Sequence, residues 1–97
     1  MNTFLTLQNE LTIIEREHYA IIDSYIKGLL LYEDIKRFER LLFTFRDKLF
    51  AYVYKEEEIL EIAKMKSKIQ HYNTEILEDE DMLNMAYKNS CGYIEKL

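Results

Sequence analysis

Four stretches of this chain carry apolar residues at three-four spacing, the signature of helices with one buried face. The first runs Phe4, Leu7, Leu11, Ile14, His18, Ile21, Tyr25 and Gly28, and Ile22, Ile26 and Leu29 widen it toward its end. Thr3 stands where an N-cap belongs. Gly28 follows Lys27 where a left-handed glycine would close the helix. Helix continuing through that glycine would cost about 1 kcal/mol relative to alanine. A break is therefore expected, with Leu29 to Glu33 as a short connection whose leucines tuck under neighbouring elements.

The second stretch, from Asp34 to Tyr54, is the most aromatic and most basic part of the chain. Asp34 can cap the free amides of a first helical turn. Ile35, Phe38, Leu42, Phe45, Leu49 and Tyr52 make a continuous stripe, while Phe43, Phe50 and Tyr54 fall roughly opposite it. A helix apolar on two sides is central in a bundle or covered by a partner. Beyond Tyr54, the run Lys55-Glu56-Glu57-Glu58 holds no breaker, and Glu56 occupies the next seam position. A bend with acids in a new first turn, or one long rod, both fit this pattern.

The third stripe is Ile59, Ile62, Met65, Ile69, Tyr72 and Ile76, flanked by Leu60 and Ala63. Five acids and no base follow between Glu75 and Asp81. A weaker stripe of Met82, Leu83, Ala86, Tyr87, Ser90, Ile94 and Leu97 ends the chain, with Asp79 or Asp81 as its cap. The four patterns predict an all-α fold: a small antiparallel bundle of three to four helices in one domain over residues 1–97, its central helix starting at about Asp34. The absence of proline and the presence of only two glycines agree, because sheet hairpins lean on such turn residues.

Charge narrows the partners. A net charge of -5 disfavours nucleic acid, whose binding rests on neutralising phosphates. Lys36, Arg37, Arg40, Arg46 and Lys48 are interleaved with aromatics, but Phe38 and Phe45 belong to the core stripe and are unavailable for base stacking. The longest apolar run, Leu29 to Tyr32, is too short to span a bilayer, and no positive region opens the N-terminus. The lone Cys91 cannot form an internal disulfide and fits a reducing compartment. These features predict a cytoplasmic protein that contacts neither membrane nor nucleic acid.

Catalytic constellations are incomplete. Glu15 and His18 are spaced to face one metal from a helix, with Glu61 or Glu75 as a further oxygen ligand, but di-iron bundles use two such pairs. Symmetry in a homo-oligomer is the one way to complete that set. His71 and Glu75 meet at four-residue spacing as a surface pair, Cys91 has no nearby histidine in sequence, and two isolated glycines cannot cradle a phosphate. No enzyme activity, metal or cofactor is expected. The leading expectation is a small acidic protein-binding module of the inhibitor, immunity or adaptor type. It would dock a partner with a basic surface through Phe43, Phe50 and Tyr54 together with Glu78, Asp79, Glu80 and Asp81. The alternative is a structural homodimer or an export-chaperone-like hairpin.

Overall fold

In a computed structural model, the backbone is described for residues 3–95 and the side chains for residues 3–91. Four α-helices follow in order: α1 Phe4–Ile26, α2 Tyr32–Ala51, α3 Ile59–Tyr72 and α4 Glu80–Glu95. A 3-10 turn, Glu56–Glu58, leads into α3, and a π-turn, Asn73–Leu77, follows it. No strand occurs among the described residues.

Helix α2 runs antiparallel to α1, and α3 and α4 both run antiparallel to α2. Lys48 near the end of α2 reaches Glu10 near the start of α1 at 2.9 Å, whereas Arg37 near the start of α2 reaches Glu17 at 3.7 Å. On its other flank α2 meets Lys66 of α3 through Phe50, and at its N-terminal end it meets Tyr87 and Ser90 of α4 through Tyr32. Thus α3 and α4 lie one after the other along α2, as a single interrupted rod. Helical rise over Ile59 to Glu95 comes to about 55 Å, close to the 56 Å long axis of the molecule.

The core follows the stripes. Leu7, Leu11, Ile14 and Ile21 of α1 are buried against Ile35, Phe38, Leu42, Phe45 and Leu49 of α2 and against Ile62, Met65 and Ile69 of α3. Ile76, Met82, Ala86 and Leu30 complete it. Because α2 packs against α1, α3 and α4, it is the central helix. Truncating a fully buried phenylalanine such as Phe38 to alanine costs about 3–5 kcal/mol.

Thr3 caps α1 as expected, its hydroxyl accepting from the Thr6 amide at 3.1 Å. Gly28 has φ +72°. Its amide donates to the Tyr25 carbonyl, and the Leu29 amide donates to the Ser24 carbonyl at 2.8 Å, which is the paired closure of a Schellman motif. Of the connecting leucines only Leu30 is tucked in, at 0% exposure, while Leu29 and Leu31 face solvent.

The central helix begins two residues before Asp34. Leu31 is its N-cap, and Asp34, in the third helical position, reaches back to accept from the Leu31 amide at 3.1 Å. Asp34 still satisfies a first-turn donor, but from inside the helix rather than from its boundary. The extra turn has a tertiary cause: Tyr32 stacks on Tyr87 at 4.9 Å, and its amide donates to Ser90 Oγ at 3.1 Å.

At the far end α2 stops at Ala51, and Tyr52 turns extended with ψ 129°. The chain bends and restarts with Glu56, Glu57 and Glu58 in its first turn, so the long-rod alternative does not form. Ile59, counted in the third stripe, is exposed, and that stripe begins at Ile62. The Asp79 carboxylate accepts from the Met82 amide at 2.9 Å, which makes it the cap of α4. Ile94 and Leu97 of the fourth stripe lie outside the described side chains.

Candidate functional site

The expected aromatic trio comes together, although not on the face opposite the core. Phe43 and Phe50 sit roughly 110° around α2 from the buried stripe, on the flank that borders α3. Phe43 is half-buried there, and Phe50 is 62% exposed. Tyr54 lies beyond the end of the helix, in the α2–α3 corner. A single cation joins two of the rings: Lys66 Nζ stands 4.7 Å from the Phe50 centroid and 5.9 Å from that of Tyr54. The Arg46 guanidinium covers Phe43 at 4.6 Å. Such contacts hold an exposed ring in place for about 0.5–1 kcal/mol each.

The corner holds more apolar surface than the trio. Val53 is 90% exposed and Leu60 68%, and Ile59 stands open beside them. No residue between Leu49 and Ile62 is buried. The conformation is fixed by Glu58, whose Oε1 accepts from both the Tyr52 hydroxyl and the Lys55 amide, each at 2.9 Å. Burial, and then the bond to Glu58, push the Tyr52 hydroxyl above the usual tyrosine range. A signal for Leu60 was present in the sequence, because it lies about half a helical turn away from Ile62 and Ile69. Val53 carried none, since its exposure depends on where α2 ends.

The acidic segment is half occupied. Asp79 is the cap of α4 and Glu78 accepts from Asn73 Nδ2 at 3.4 Å, which leaves Glu80 and Asp81 as exposed carboxylates in the first turn of α4. As a continuous acidic lip of four residues it does not form, because two of its members complete the turn that starts the helix.

The histidines converge on one carboxylate. His71 Nε2 is 2.8 Å from Glu75 Oε2, and His18 Nε2 is 3.3 Å from the same oxygen. The His18 contact is too oblique for a hydrogen bond and leaves that buried nitrogen without one. The His18 ring packs 4.5 Å from Tyr72, whose hydroxyl is pushed up by burial and then by Glu15. Glu15 itself turns to Lys68 at 3.2 Å, away from any shared metal with His18. Among the described residues no three His, Cys, Asp or Glu side chains are arranged to hold a metal ion. Cys91 is exposed and free, and no helix among the described residues is long and apolar enough to cross a membrane.

Set against known protein families, curated proteins and solved structures, the chain matches none of them. Its chemistry is read from its own side chains.

Proposed function

We propose that this is a small, acidic, non-catalytic binding module that docks a partner protein through the α2–α3 corner. One observation carries the reading: Phe50, Val53, Tyr54, Ile59 and Leu60 are all exposed within one short corner, with no buried residue among them. Scattered single apolar residues on a surface need no explanation, but a contiguous group of this kind marks an interaction site. Tyrosine and phenylalanine suit the centre of such a site, because they bury much area while losing little side-chain freedom. Glu80 and Asp81 remain open to add polar contacts. We take the setting to be cytoplasmic, on the strength of a single free cysteine.

A photo-crosslinking residue at Val53 should capture a partner from the native cell, and one at Arg40, on the solvent face of α2, should not. Adding Leu60→Asp should abolish the Val53 product while thermal melting stays unchanged. Crosslinks of equal yield from both positions would remove the corner from the reading. A product between two copies of this chain would replace the adaptor with a homodimer.

A further inference from the structure

We propose that the cleft between α2 and α3 receives a carboxylate side chain from an acidic amphipathic segment of a partner protein. The inference rests on the docking reading above and adds the chemistry of the partner. The cleft, of about 120 Å³, is floored by Leu42, Phe43, Phe50 and Ile69 and rimmed by Arg46 and Lys66. That volume is below the roughly 300–1,000 Å³ of small-molecule pockets and suits one side chain rather than a cofactor.

Lys66 carries the argument. Three lysines are half-buried among the described residues: Lys36, Lys48 and Lys66. Lys36 is paired with Glu39 at 3.3 Å and Lys48 with Glu10 at 2.9 Å, whereas Lys66 forms no ion pair among the described residues and rests on the faces of Phe50 and Tyr54. Arg46, across the cleft, has only its sequence neighbour Asp47 at 3.9 Å. The chain holds 18 acids against 13 lysines and arginines, yet none of the acids among the described side chains is paired with this lysine. Partial burial raises the cost of an uncompensated charge and strengthens its attraction to an incoming anion.

The larger groove between α1 and α2 makes the contrast. It is also lined by cations, but there Lys48 and Arg37 are already paired with Glu10, Glu17 and Asp34, and the third, Arg40, is exposed to solvent rather than half-buried like Lys66. The α2–α3 cleft instead opens toward the apolar corner through Phe50 and Tyr54. An occupant therefore needs an acid flanked by apolar residues, and the net charge of -5 disfavours a polyphosphate backbone in that role.

The test is fluorescence anisotropy with a labelled amphipathic peptide that has leucines at three-four spacing and glutamates between them. A twin with glutamine for every glutamate and another with lysine serve as comparisons. The acidic peptide is expected to bind at least about tenfold tighter than the glutamine twin and to weaken as salt rises from about 50 to about 300 mM. Lys66→Gln and Arg46→Gln should each reduce that preference while the circular dichroism spectrum stays helical and the melt falls only by the few degrees that losing their ring contacts implies. Equal binding of acidic and glutamine peptides, indifference to both substitutions, or no binding at about 1 mM peptide would overturn the carboxylate site. Tightest binding by the lysine peptide would overturn it too. If acidic and glutamine peptides bind alike but Val53→Asp weakens both, the apolar docking surface stands without the carboxylate site.

Discussion

The two corners of the bundle are built from similar material and have opposite fates. At the α1–α2 corner, Ile26, Leu29 and Leu31 are exposed, but Leu30 is fully buried. The Asn89 amide donates to the Gly28 and Leu30 carbonyls at 3.2 and 2.8 Å, and Ser90 accepts from the Tyr32 amide. At the α2–α3 corner nothing is buried, and the hydrogen bonds run from Tyr52 and Lys55 to Glu58, all within the corner itself. One corner is pinned by residues about sixty positions away. The other is held by its own turn chemistry and presents its apolar side chains outward. Apolar content therefore does not decide whether a turn joins the core; a long-range anchor for its backbone does.

Substitutions can break this contrast at its anchor. Leu30→Ala should cost about 2–5 kcal/mol in denaturant unfolding, whereas Leu60→Ala, at an exposed corner residue, should stay within about 0.5 kcal/mol. If the two cost the same, the corners are not different in kind. Asn89→Ala leaves two carbonyls without their donor and should cost about 1–3 kcal/mol, with faster amide exchange at Leu29 to Tyr32. Gly28→Ala comes next, at about 1 kcal/mol, from the strain of a positive φ with open space around it.

The smallest effect belongs to Tyr52. Its folded hydroxyl titrates above the tyrosine reference value, so the folded state favours the neutral form. That contribution is complete below about pH 10 and is lost as pH rises through the folded value. Tyr52→Phe should flatten the alkaline fall in melting temperature, while the α1–α2 corner stays protected in hydrogen exchange at the same pH.

The stripes were legible because burial against one neighbour imposes a period of 3.6, and Leu7 to Ile21 and Ile35 to Leu49 obey it. Gly28 was legible because only glycine takes its backbone angle without strain. What the sequence hid depended on distant partners. Tyr32 joins α2 because Tyr87 and Ser90 meet it, which local propensity at Asp34 cannot reveal. The stop at Ala51 needed Glu58 to reach back to Lys55 and Tyr52, with no glycine or proline to announce it. The aromatic trio stood out by composition, but Phe43 and Phe50 lie about a fifth of a turn from the far face, on the flank where α3 packs, and Tyr54 falls beyond the helix end. The acids from Glu78 to Asp81 read as one surface, although a helix start consumes Asp79 and the turn before it engages Glu78.

Asn89 also sets an order on synthesis. Among the described residues, the carbonyls of Gly28 and Leu30 and the amide of Tyr32 find their side-chain partners in residues 89 and 90. While the chain is growing, α1 and α2 can pair, but their corner has no latch until nearly sixty further residues have been made. Of the four helices described, the one made after the other three is thus the one that locks the first turn.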